Sequence, residues 1–71
     1  QTYLFSLSIS YQDYLDYYAG AATTILVTAD SGTRLRLPAA KFRPFLSQLG
    51  LRGRFRLTAD QNNKFVSLEA L

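Results

Sequence analysis

The chain has 71 residues, of which 48% are hydrophobic and 18% charged, and eight lysines and arginines outweigh five acidic residues to give a net charge of +3. This balance excludes a disordered chain and predicts one small folded domain over residues 1–71. A domain of this size buries only about 60% of the surface that its unfolded chain exposes, so association with another chain would help its stability. The absence of cysteine and histidine excludes a disulfide framework, a thiol nucleophile and the usual base at neutral pH.

The first predicted element is a strand over residues 2–10, because four apolar side chains alternate there with mostly small polar ones. These are Tyr3, Phe5, Leu7 and Ile9. Alternation of this kind indicates a strand with one buried face.

A short helix is predicted over Tyr11–Ala19. Ser10 and Asp13 form a weak capping box at its start, and Gly20 is the expected residue after its end. Four residues share the face that we expect to pack against the sheet, and Tyr17 lies on its flank. The four are Tyr11, Tyr14, Leu15 and Tyr18.

A hairpin is predicted next, with strands over residues 23–29 and 33–37. The first strand is rich in β-branched residues and ends in the turn signal A-D-S-G, where Gly32 can take a positive φ. Pro38 closes the second strand, because proline cannot donate to a strand ladder, and begins a short helical crossing.

The crossing is expected to form two pieces, since Pro44 disfavours a helical conformation at the residue before it. The second piece is expected to end at Gly50. Its inward-facing residues are expected to be Phe45, Leu46 and Leu49.

The last two strands are predicted over residues 51–58 and 64–71, separated by the turn D-Q-N-N. The element order predicts an α+β domain that is mostly β. It has one short helix after strand 1 and a short helical crossing between strands 3 and 4. We expect a curved five-stranded antiparallel sheet or a partly open small barrel.

Charge is distributed unevenly along the chain. Residues 1–32 carry three aspartates and no basic residue, whereas residues 33–71 carry all eight basic residues and two acidic ones. Five arginines alternate with apolar residues or glycine in two predicted strands, so their side chains are expected to leave the same side of each strand. They are Arg34, Arg36, Arg52, Arg54 and Arg56.

These five guanidinium groups form one cationic surface if the two strands are neighbours, and Lys41 and Arg43 are expected to extend it along its rim. Such a surface is typical of phosphate or polyanion binding, with nucleic acid as the obvious ligand. The alternative is that basic side chains only solvate one sheet face and protect it from aggregation. No stacking aromatic is expected among the arginines, because Phe55 alternates inward together with Gly53.

The tyrosines of the helix are the second notable feature. Three of them are expected in or near the core, and Tyr17 is the candidate for contact with another chain, for example a second copy.

The sequence offers no set of residues suited to catalysis or to metal binding, so we expect no enzyme, no cofactor and no metal. A cytoplasmic location without membrane contact is expected, because no apolar run approaches the ~20 residues needed to cross a bilayer.

The whole chain resembles a family of short bacterial proteins, the domain of unknown function numbered 2835. The resemblance rests on F-S-L-x-I-S from Phe5, Y-Y-x-G-A-A from Tyr17, S-G-x-R-L-x-L-P from Ser31, R-P-F from Arg43, and G-x-R-G-R-F-R-L from Gly50 with the ending N-N-K-F-V-S-L. It implies a self-contained bacterial domain, and it brings no assigned activity, substrate or catalytic residue with it.

The sequence therefore predicts a non-enzymatic binding module. The first hypothesis is that the arginine face recognises nucleic acid or another polyanion. The second is protein interaction or self-association, through an exposed strand edge or the flank of the helix at Tyr17. An acidic protein is a further partner that the same arginines fit.

Overall fold

The computed structural model describes residues 1–19 and 23–71, and their elements follow the predicted order. The expected C′ residue Gly20 and the side chain of Tyr18 lie outside the described part. The strands are β1 (Thr2–Ile9), β2 (Thr24–Thr28), β3 (Arg34–Pro38), β4 (Leu51–Ala59) and β5 (Phe65–Ala70); the helices are α1 (Tyr11–Ala19) and the 3₁₀ helix η1 (Ala39–Phe45).

The larger sheet has three antiparallel strands in the order β1-β4-β5. β1 pairs with β4 over its full length, from Thr2 opposite Thr58 to Ile9 opposite Leu51. β5 pairs with the other side of β4, with a shift of register between Thr58 and Ala59. Asp60 begins the β4–β5 turn, where one carboxylate oxygen accepts hydrogen bonds from the backbone of Asn62 and Lys64 at 2.8 and 2.9 Å.

The second sheet consists of the predicted hairpin, with β2 antiparallel to β3. Gly32 in its turn has the expected positive φ, 92°. The two sheets meet where the backbone amide of Asp30 donates to the carbonyl of Leu4 at 2.8 Å. In the described residues the five strands thus pair as three plus two and form no closed barrel, where we expected one curved sheet or a partly open barrel.

The core lies between the sheets and is closed by both helices. Phe5 and Phe55 stack at a centroid distance of 5.7 Å, and Phe42 of η1 meets Phe55 edge to face, also at 5.7 Å. Ile25 and Leu37 add the buried face of the hairpin. Alternate residues of the strands therefore enter one apolar core, as the period-two pattern predicted.

Helix α1 begins at a capped end, because the Ser10 hydroxyl accepts a hydrogen bond from the Asp13 amide at 3.1 Å. Tyr14 is fully buried and donates to the carbonyl of Ala39 at 2.7 Å. Tyr11 and Leu15, expected on the packed face, are instead 41% and 36% exposed. The helix packs mainly against η1 and β2 rather than across a sheet face, so Tyr14 alone of these three residues is covered.

The crossing differs from its prediction, because η1 continues through Pro44 as one 3₁₀ helix. The Leu46 amide closes its end on the carbonyl of Arg43 at 3.2 Å; such three-residue turns tolerate a single missing donor. Phe45 and Leu46 pack against the core as expected. Leu49 was predicted to face inward but is 73% exposed, because it lies in the tight turn between Ser47 and Gly50.

Two glycines of β4 and its entry have positive φ. Gly50 has a φ of 101°, and a β-carbon there would lie 2.0 Å from the carbonyl oxygen of Ile9. Gly53 has a φ of 133°, and a β-carbon there would meet nothing within 4 Å. Gly53 was predicted to enter the core but is exposed.

Candidate anion-binding surface

Arg52, Arg54 and Arg56 leave the same side of β4, as alternation predicted, and we call them the β4 arginine row. All three lie opposite outward-facing residues of β1 in the pairing register. These are Ser8, Ser6 and Leu4, respectively. The middle of the larger sheet's outer face therefore carries three guanidinium groups in a line.

Arg54 is held by a carboxylate from the turn that joins β2 and β3. Its two terminal nitrogens donate to the two carboxylate oxygens of Asp30 at 3.0 and 2.5 Å, and one of them also donates to the Ser6 hydroxyl at 3.0 Å. Hydrogen bonding from Arg54, with its positive charge as a smaller cause, lowers the pKa of Asp30 below its ordinary 3.8. The same hydrogen bonds raise the pKa of Arg54 above its ordinary value.

Arg56 is held by a carboxylate within its own sheet. Glu69 lies directly opposite it on β5, and the Nε and Nη2 atoms of Arg56 each donate to a carboxylate oxygen of Glu69 at 3.2 Å. This is the two-point geometry in which arginine matches a carboxylate. Two of the three arginines in the row are therefore neutralised within the chain.

Arg52 has polar partners but no carboxylate among the described residues. Its Nε atom donates to the carbonyl of Leu49 at 3.0 Å, and its Nη1 atom donates to the Ser8 hydroxyl at 3.3 Å. These neutral contacts orient the side chain and leave its charge uncompensated. Arg52 is thus the member of the row best suited to an external anion.

Arg34 and Arg36, which we call the β3 arginine pair, lie in the second sheet. They are opposite Thr28 and Leu26 of β2 and are exposed. The condition for one shared arginine surface, that the two arginine-bearing strands are neighbours, is not met, because β3 pairs with β2 while β4 lies between β1 and β5. Within the described part of the chain, neither arginine of the pair forms an ion pair.

Lys41 and Arg43, expected along one rim of the arginine surface, point to different neighbours. The Lys41 ammonium lies 4.5 Å from the ring centroid of Phe65, at the start of β5. Arg43 is exposed and lines a small cleft against α1 with Tyr11 and Leu15. Of the two, only Lys41 therefore lies next to residues that face the β3 pair.

A groove separates β3 from β5, and we call it the β3–β5 groove. It has a volume of about 340 Å³. Every residue from 33 to 38 lines one side. The rest of the lining is contributed by Tyr3, Leu57, Ala59, Asn63 and Phe65.

Tyr17, the candidate protein contact, is exposed on the flank of α1 as predicted. It lines an open cleft of about 610 Å³ together with residues of β1 and two aspartates of the helix. These are Ser8, Ile9, Asp13 and Asp16. The cleft thus combines an aromatic ring with an acidic helix face.

The described residues hold no group of three or more carboxylate, imidazole or thiol side chains arranged to bind a metal ion. Neither helix in that part of the chain has the length and apolar character required to cross a bilayer.

Sequence reasoning missed Asp30 and Glu69, the acids that hold the β4 row. A regular hairpin with its turn at residues 60–63 pairs position 59 with 64 and therefore places position 67, not 69, opposite position 56. Glu69 reaches Arg56 because the register shifts between Thr58 and Ala59, which the sequence pattern did not indicate. Asp30 was interpreted as a turn residue, and its partner lies 24 residues away in another sheet. Nothing local in the sequence indicates that contact.

The fold and surface define a small, mostly β domain with exposed basic side chains on both sheets. The chain belongs to the family described as Protein of unknown function (DUF2835), whose model matches residues 1–71. No curated protein and no solved structure matches the chain.

Proposed function

We propose that this domain is a non-enzymatic binding module for a polyanion, with nucleic acid as the first ligand to test. The observation that supports it most is that the β3 arginine pair lies exposed on an edge strand and forms no ion pair with any described residue. Arginine side chains in this state match phosphate oxygens without first giving up an internal partner. The proposal includes a cytoplasmic bacterial setting, where nucleic acid is accessible.

The strongest contacts are assigned to Arg34, Arg36 and Arg52, which lack carboxylate partners among the described residues. Arg54 and Arg56 have a smaller role, because a phosphate must compete with Asp30 and Glu69 for them. Lys41 and Arg43 add longer-range attraction. The predicted surface is therefore smaller than the seven basic residues that the sequence offered.

The test is fluorescence anisotropy with labelled single-stranded and duplex oligonucleotides between about 0.05 and 0.3 M salt. Three phosphate contacts give a slope of log K against log salt of about −2 to −3. The double variant Arg34→Gln/Arg36→Gln should weaken binding on the order of thirtyfold at about 0.1 M salt, since each lost contact removes a released counterion.

The matched control is Gln48→Glu/Gln61→Glu, which lowers the net charge by the same amount at exposed positions that do not line the β3–β5 groove. It should change affinity by less than about threefold, because distant exposed charges are screened. Binding that ignores salt, or that the control weakens as much as the arginine variant does, contradicts the proposal.

The second candidate function is protein interaction, which the edge positions of β3 and β5 favour. Edge strands present unpaired backbone groups to which another chain can add. The self-association version, through such an edge or through Tyr17, is tested by light scattering over a concentration series. A constant monomer mass at all concentrations removes that version.

A further inference from the structure

Among the described residues, the backbone groups of β3 that face away from β2 form no hydrogen bond with another strand, and β3 lines the β3–β5 groove. Two hydrogen bonds fix the pairing of the hairpin: Ala29 donates to Thr33 at 2.8 Å and Ala39 donates to Thr23 at 2.7 Å. Because backbone groups alternate in direction along an antiparallel strand, Leu35 also faces β2. The amide and carbonyl groups of the β3 arginine pair therefore face away from β2.

The floor of the groove is apolar. Leu35 and Leu37 alternate with the arginines and turn toward the core. Leu57 and Phe65 line the opposite side. An added strand would thus find unpaired backbone groups along its edge and apolar side chains beneath it.

The rim of the groove is basic. The side chains of the β3 pair flank one side, and the Lys41 ammonium covers the Phe65 ring on the other. None of these three cations has a carboxylate partner within the described residues. A peptide entering the groove therefore meets positive charge from both sides.

We propose that the groove binds an extended acidic segment of a partner protein, which adds to β3 as an antiparallel strand. Acidic residues of the segment lie beside Arg34 and Arg36, and the apolar residues between them face Leu35 and Leu37, because opposite residues of antiparallel strands share a face. This inference rests on the second candidate function, protein interaction, and names the chemistry of its partner.

A second copy of the chain fits the groove less well than an acidic segment does. The chain carries a net charge of +3, so like charges meet when two copies approach by this surface. Asp13 and Asp16, which are acidic residues close together in the sequence, lie on helix α1, so a second copy does not offer them on an extended strand.

The probe for the test is a capped hexapeptide that alternates glutamate and valine, with a lysine and valine peptide as its charge control. Isothermal titration calorimetry measures affinity, and amide hydrogen exchange followed by NMR locates the contact. On binding, exchange of the Arg34 and Arg36 amides should slow at least tenfold. Leu35 and Leu37, whose amides already face β2, should change little.

Two further peptides separate backbone pairing from charge attraction. N-methylation of the glutamate amides removes the donors that face β3 and should weaken binding at least tenfold. N-methylation of the valine amides, which face away from β3, should weaken it less than about threefold. The variant Arg34→Gln/Arg36→Gln should weaken the glutamate peptide and leave the lysine peptide unbound.

Equal affinity of the two methylated peptides, or no slowing at Arg34 and Arg36, overturns strand addition. If an oligonucleotide slows exchange at these two amides and the glutamate peptide does not, the groove is a nucleic-acid site: the inference fails while the polyanion function stands. Peptide binding by strand addition without any oligonucleotide binding gives the opposite result, so the two failures are distinguishable.

Discussion

The β4 arginine row and the β3 arginine pair share one sequence pattern and differ in their electrostatic partners. In the row, Arg54 and Arg56 are each bound in two-point geometry to a carboxylate of the same chain. In the pair, Arg34 and Arg36 are exposed without an ion pair among the described residues. Alternating arginines on a strand can therefore stabilise the tertiary structure in one place and remain available for binding in another.

The neighbouring elements explain the difference. β4 is the central strand of its sheet; Glu69 lies opposite it on β5, and Asp30 comes within reach because the β2–β3 turn docks on β1 at Leu4. β3 is an edge strand, and the side of it opposite β2 faces the groove. Edge position leaves both its backbone and its arginines open to a partner.

The largest expected effect is a loss of stability from substitution of the glycine that precedes β4, the strand that carries the arginine row. Gly50→Ala should destabilise the protein by at least about 2 kcal/mol, because strained backbone and a clash with the Ile9 carbonyl act together. Gly53→Ala, with the same strained region of φ and open space around it, should cost about 1 kcal/mol or slightly more. Urea unfolding measures both, and equal losses would contradict the role of the close approach at Gly50.

The next largest effect is expected when the carboxylates that pair with the β4 row are removed. Asp30→Asn/Glu69→Gln releases Arg54 and Arg56, so oligonucleotide affinity should rise roughly tenfold or more and the salt slope should steepen by up to about 2. Gln48→Lys/Gln61→Lys adds the same net charge at exposed sites and is the control. If the salt slope of the first variant equals that of the control, then the ion pairs with Asp30 and Glu69 are not what limits oligonucleotide binding by Arg54 and Arg56.

A smaller effect concerns acid stability. The pKa of Asp30 is lowered in the folded protein, so the unfolded chain binds the proton more tightly. The ion pair therefore contributes stability that is fully present above the ordinary value of 3.8 and is lost as pH falls through the lowered pKa.

In Asp30→Asn this contribution is absent at every pH. Its urea midpoint should therefore decline less than that of the parent protein between about pH 5 and 2.5. Arg54→Gln removes the cause of the shift from the other side and should flatten the decline in the same way. A parallel decline in all three proteins would show that the pair does not couple to folding.

The smallest expected effect concerns Arg52, which is intermediate between the two regions because it lies in the row but lacks an acid. Arg52→Gln should reduce the magnitude of the salt slope by about 1. Its unfolding free energy should change by no more than about 0.5 kcal/mol, as is usual for a surface site. Loss of stability without a change in slope would place Arg52 with the structural arginines.

Much of the fold follows from local patterns in the sequence. Alternation, β-branched composition and turn signals together predicted every strand to within about two residues, and the capping signal predicted the start of α1. Alternation also separated the β4 arginines from Phe55 and Leu57 correctly. These features depend on a few neighbouring residues, so the sequence carries them directly.

Strand neighbours and ion pairs depended on long-range contacts that alternation does not encode. A strand has two faces and two edges, and its side-chain pattern specifies the faces alone. Whether β3 and β4 are neighbours was therefore left open by the sequence, and the contact of Asp30 with Arg54 could not be anticipated. The prediction that Leu49 faces inward was wrong for a different reason: it was based on hydropathy alone, and large apolar side chains are common on protein surfaces.

Pro38, the last residue of β3, limits what can be built on this exposed strand. Following the alternation set by the hairpin, its nitrogen faces the groove, and it has no hydrogen to donate. Pairing with an added chain therefore stops after Arg36. The edge that remains is too short and too highly charged for further copies of the chain to add to it one after another. This protects the domain against growth into cross-β fibrils.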